Sequence, residues 1–129
     1  ITKAIETIEP GIHGLSNHLL NTEWPKVQKG KAELGRAIGP DGRIDRERIF
    51  DFLKDSQRFP DKQLPDTGVG LECERMLSPM FIVSHSYGTR SSTLLVLDKE
   101  GGIDVTERSF HPDNGNQATE NRFRITPSF

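Results

Sequence analysis

Ser84-His85-Ser86-Tyr87-Gly88-Thr89-Arg90-Ser91-Ser92-Thr93-Leu94-Leu95-Val96-Leu97-Asp98 is the stretch that decides how this chain is built. A run of Leu and Val closed by Asp98 and a Gly-Gly turn has the pattern of a buried strand. Arg90 stands at the mouth of that strand, where a fixed positive charge must reach solvent, a carboxylate or a ligand. The plainer alternative is an arginine paired with a neighbouring acid at a strand end. Ser91, Ser92 and Thr93 follow it, but no G-x-S-x-G pattern surrounds them, so they are expected to be hydrogen-bonding strand residues rather than nucleophiles.

Working outward, Gly102 to His111 and Asn121 to Ile125 alternate apolar and polar residues and are expected to be further strands. Asp98-Lys99-Glu100-Gly101-Gly102 and Asp113-Asn114-Gly115-Asn116 are the hairpin loops between them. Upstream, Met80 to His85 and Ile12 to Asn17 are also strand candidates. Asn21 or Thr22 can cap a helix from about Pro25 to Ile38, with Val27, Leu34 and Ile38 on one face. Gly30 and Gly35 weaken that helix. Asp45 caps a second helix, Arg46 to Gln57, whose stripe of Ile49, Phe50, Phe52 and Leu53 is a core face. Ser56 to Gly70 is a loop, and Glu72 to Leu77 a short helical turn. The fold class is α+β, with helices packed on an antiparallel sheet.

The composition narrows the function. The chain of 129 residues has the length of one domain, and its net charge of −2 gives no reason to expect nucleic-acid binding. No apolar stretch has the length of a membrane span. Cys73 is the single cysteine, which excludes an internal disulfide and fits a reducing compartment. His13, His18, His85 and His111 form no H-x-x-x-H or H-E-x-x-H pair, and Cys73, Met76 and Met80 have spacing that suits packing, so no metal or cofactor is expected. Asp66 and Asp98 are expected to be loop and turn acids, and Thr2 could be a terminal nucleophile only after removal of Ile1.

Three segments in order carry a resemblance: Gly14-Leu15-Ser16-Asn17, Leu64-Pro65-Asp66-Thr67-Gly68, and Tyr87-Gly88-Thr89-Arg90-Ser91-Ser92-Thr93. Together they resemble the transport-and-Golgi-organisation family, also called the NRDE proteins, from about Ile8 to Ile125. The family's N-terminal Cys and its Asn-Arg-Asp-Glu motif are absent, and family members are longer. The resemblance therefore implies the C-terminal half of a larger domain, with the missing N-terminal half as its partner.

That family resembles the N-terminal-nucleophile hydrolases, so the implied fold is part of a four-layer α-β-β-α sandwich. The implied chemistry is attack by the missing Cys on an amide or thioester. By the resemblance Asn17 would supply the oxyanion hole, where one donor is worth roughly 3 kcal/mol, and Arg90 would tune the thiolate or hold a substrate carboxylate. Taken alone, Asn17 could equally cap a turn. His85, Tyr87 and Thr89 would line the substrate's approach, and Gly88 would permit a tight turn. A second reading is a haem or lipid-related carrier using the same cleft for an amide, acyl or haem-like ligand, and a third is an interaction module with no ligand. The expected setting is cytoplasmic or, in a eukaryote, mitochondrial or Golgi-associated.

Overall fold

The computed structural model describes residues 5–111 and 118–126; the expected loop Asp113–Asn116 and Thr2 lie outside them. Three helices precede a three-stranded sheet: α1 Pro25–Ala37, α2 Arg46–Leu53, α3 Leu71–Leu77, β1 Ser91–Leu97, β2 Ile103–Phe110 and β3 Ala118–Ile125. The sheet is antiparallel in the order β1-β2-β3, as the hairpin spacing implies.

Local chemistry accounts for most of the element ends. Pro25 opens α1 behind Trp24, and no side chain caps it; the expected caps Asn21 and Thr22 are used elsewhere. Asp45 caps α2, accepting from the Arg48 amide at 3.0 Å. That helix stops at Leu53 rather than Gln57, because Asp55 turns the chain by accepting from the Gln57 amide at 2.9 Å. Its carboxylate also pairs with Lys29 on α1. Asp98 closes the β1–β2 hairpin by accepting from the amides of Glu100 (2.9 Å) and Gly102 (2.8 Å), the turn role its sequence position implies.

Gly30 and Gly35 cost α1 helix propensity but make room. A Cβ on Gly30 would lie 3.0 Å from Met80 Cε, and one on Gly35 would lie 3.2 Å from Ile12 Cδ1. The chain before and after the helix thus lies directly on its backbone.

Two expected strands do not form. Ile12–Asn17 pairs with no strand among the described residues. Its backbone turns to Asn21 instead: the Asn21 amide donates to Gly14 O at 2.7 Å, and the Gly14 amide donates to Asn21 Oδ1 at 3.0 Å. Met80–His85 makes only an isolated bridge, Val83 to Gly88. In both places local turn bonds take up some of the backbone groups that a ladder would have used.

Helix α2 lies against one face of β1 and β2, while β3 is exposed along its length. Register places Leu94, Val96, Asp104, Thr106 and Arg108 on that side. Arg108 bonds Glu47 at 2.7 Å and lies 4.2 Å over the Phe50 ring, while Arg46 meets Asp104 at 3.4 Å. The other face carries Leu95, Leu97, Ile103, Val105, Phe123 and Ile125. Leu97 is 70% exposed, Leu95 59% and Phe123 53%, so this apolar face stands open around the buried Val105. The expectation that β1 is a buried strand is therefore corrected: its side chains alternate between half-buried and exposed. The described residues form a mixed α+β arrangement of three α-helices and one three-stranded antiparallel sheet.

Candidate functional site

The segment from Ile82 to Arg90 is a tight reversal held by its own hydroxyls. Ser84 Oγ donates to Tyr87 O at 2.6 Å, and the Ser84 amide donates to the same oxygen at 3.0 Å. The Thr89 amide donates to Ile82 O at 2.9 Å, and Thr89 Oγ1 accepts from the Ile82 amide at 2.9 Å. Gly88 is required by close approach: a Cβ there would sit 3.0 Å from Ile82 O. The reversal is fixed to the sheet by Phe81, packed edge to face on Phe110 at 4.7 Å, and by the Phe110 amide, which donates to Arg90 O at 2.7 Å.

This anchoring leaves the Arg90 side chain exposed, with no ion pair or side-chain hydrogen bond among the described residues. It lines a hollow of about 470 Å³ together with His85, Tyr87 and Thr89. All four residues singled out in this stretch therefore meet at one place. Thr89 does so as a turn residue, since its hydroxyl is committed to the backbone.

Asn17 lies on a second cavity, of about 340 Å³. Ile82 and Tyr87 line both spaces, so Asn17 and Arg90 flank one wall but share no cavity. Asn17 is exposed and its amide has no hydrogen-bond partner among the described residues.

The organising asparagine of this region is Asn21, expected above only as a cap. Its φ of 58° is left-handed, which Asn tolerates better than most residues. Its Oδ1 accepts from Lys31 Nζ at 2.9 Å as well as from the Gly14 amide, and its Nδ2 donates to His13 Nδ1 at 2.9 Å. His13 Nε2 then donates to Glu9 O at 2.8 Å.

Lys26 and Glu74, which no sequence motif marks, both line the cavity that Asn17 borders. Lys26 Nζ donates to Leu77 O at 2.7 Å. Burial pushes its ammonium below the ordinary lysine range, opposed in part by the charge of Glu74. Glu74 is buried, and its Oε1 accepts from the Thr67 amide at 2.7 Å and from Thr67 Oγ1 at 2.6 Å. No local motif announces either residue; only packing α1 against α3 and the Thr67 loop brings them together.

Among the described residues no group of three His, Cys, Asp or Glu side chains could hold a metal, and no helix is long and apolar enough to cross a membrane. Thr93 Oγ1 donates to Glu107 Oε2 at 3.0 Å, the hydrogen-bonding role expected of that hydroxyl run.

A family model described as Transport and Golgi organisation 2 matches residues 1–112. A mouse Transport and Golgi organization 2 homolog is 27% identical over 126 residues, which cover 92% of this chain and 46% of the mouse protein. A human Transport and Golgi organization protein 2 homolog is 30% identical over 109 residues, covering 79% of this chain and 40% of the human protein. The bovine counterpart gives the same identity and coverage. The chain spans less than half the length of these relatives.

Proposed function

Because this chain belongs to the Transport and Golgi organisation 2 family, we propose that it is the portion of a larger α-β-β-α domain that holds an anionic, largely apolar small molecule against Arg90, as a carrier would. The observation that carries this reading is the state of Arg90. The arginines of the sheet, Arg108, Arg122 and Arg124, each pair with carboxylates. Arg90, just ahead of β1, has no such partner among the described residues and borders a hollow walled by Phe81, Ile82 and Phe110. A guanidinium offers two parallel donors to a carboxylate, while the aromatic and aliphatic walls accept an apolar body. The open face of Leu95, Leu97, Phe123 and Ile125 supports the larger domain, since a patch of this kind is normally covered.

The test is calorimetric titration of the intact protein with haemin and with palmitate, comparing wild type with Arg90→Ala and Arg90→Lys. Selective loss of affinity in the alanine variant is the expected result.

A second reading, an N-terminal-nucleophile-type hydrolase of amides or thioesters, is favoured by Asn17. Its unbonded amide borders a cavity next to the Arg90 hollow, as an oxyanion donor would. The nucleophile would come from polypeptide beyond this chain. Amide or thioester hydrolysis by the intact protein, lost in Asn17→Ala, would support it.

A further inference from the structure

The cavity bordered by Asn17 is a separate site from the Arg90 hollow, and its chemistry is different. Its walls are apolar and aromatic, formed by Trp24, Phe59, Leu64, Val69, Leu77 and Ile82. At about 340 Å³ it lies at the small end of ligand pockets.

Some of its polar groups are already committed. Thr67 gives both its amide and its hydroxyl to Glu74. Ser78 Oγ donates to Arg75 O at 2.9 Å and accepts from the Phe59 amide at 3.3 Å. Among the described residues Asn17, Trp24, Tyr87 and Lys26 keep uncommitted donors, and of these only Lys26 is charged. An ammonium has three donors, and the only hydrogen bond Lys26 makes among the described residues is to Leu77 O. Half-buried donors without acceptors are costly, so the site is suited to an acceptor supplied from the cavity.

The charge of the lining decides what kind of acceptor. Lys26 and Glu74 are its only charged side chains, and their formal charges cancel. The two interact through space without a direct ion pair among the described residues. A carboxylate entering here meets attraction from one and repulsion from the other, and must also give up its hydration. A neutral carbonyl oxygen needs only the N–H donor, and loses much less on leaving water.

We propose that this cavity binds an uncharged, apolar small molecule that presents a carbonyl oxygen to Lys26. The proposal does not rest on the Arg90 reading, which concerns an anion in the adjoining hollow.

The test is calorimetric titration of the intact protein with octanamide and octanoate, two ligands of one length that differ in charge. Octanamide should bind saturably and about tenfold tighter than octanoate, with Lys26→Met weakening it by about tenfold. In Glu74→Gln the side-chain oxygen still accepts both Thr67 bonds, so the loop is kept while the negative charge is removed. That variant should reverse the preference in favour of octanoate. Thermal melts show whether Lys26→Met is folded, and if it is not, the preference in Glu74→Gln decides. The proposal is overturned if neither compound binds saturably, if octanoate binds wild type as tightly as octanamide, if folded Lys26→Met binds octanamide unchanged, or if Glu74→Gln leaves the preference unaltered.

Discussion

Phe81 and Phe110 meet edge to face, with ring centroids 4.7 Å apart and planes at 84°, and both are buried. This contact joins the Ile82–Arg90 reversal to the sheet, and the Phe110 amide holds the Arg90 carbonyl beside it. Phe81→Ala should therefore lose about 3–5 kcal/mol of stability, the usual cost of emptying an aromatic core position. Urea denaturation of the intact protein measures it. A loss below about 1 kcal/mol would show that the reversal is anchored by other means.

Asn21 and Asn17 should behave oppositely. Asn21→Ala removes three side-chain hydrogen bonds and puts a Cβ residue without local polar support at φ 58°. A loss of roughly 2–4 kcal/mol is expected. Asn17→Ala removes an exposed side chain with no partner among the described residues, and should change stability by no more than about 0.5 kcal/mol. Parallel thermal melts decide; a large effect at Asn17 would make it a structural turn residue.

Thr106 is fully buried in β2, and its hydroxyl has no hydrogen-bond partner among the described residues. Valine has the same shape without the polar atom. Thr106→Val should therefore raise stability by about 1 kcal/mol, by removing the desolvation cost of an unpaired hydroxyl. Destabilisation in chemical denaturation would mean that the hydroxyl is in fact bonded.

The open sheet face gives a paired expectation. In the isolated chain, the Leu97→Lys, Phe123→Lys double variant should reduce self-association measured by sedimentation velocity. In the intact protein, where further polypeptide is proposed to cover that face, the same change should destabilise by several kcal/mol, about 2 or more per buried charge. A monomeric wild-type chain, together with an intact protein indifferent to the change, would show that the face is simply solvated.

Much of this fold is legible because its signals are local. Asp45 starts α2 and Asp98 turns β1 into β2, each through bonds to amides within a few residues. Ladder pairing is not local, so Ile12–Asn17 and Met80–His85 have the composition of strands but join no ladder among the described residues. The β1 run records a face that calls for a cover, and the composition of the run does not say whether this chain supplies it. His85, Tyr87, Thr89 and Arg90 are adjacent in sequence, so one tight reversal groups them. Lys26 and Glu74 are ordinary helix residues until packing buries them, which is why nothing in their neighbours marks them.

The central claim is that Arg90 is a ligand-binding cation, and titration of the intact protein with haemin and palmitate tests it most directly. Arg90→Ala should weaken binding of these anions by about tenfold or more, and Arg90→Lys should fall between, keeping the charge but losing the planar fork. The melting temperature should hardly move, because the side chain is exposed. Unchanged affinity in Arg90→Ala, or a large fall in melting temperature with no change in binding, would contradict the account and leave Arg90 a structural residue.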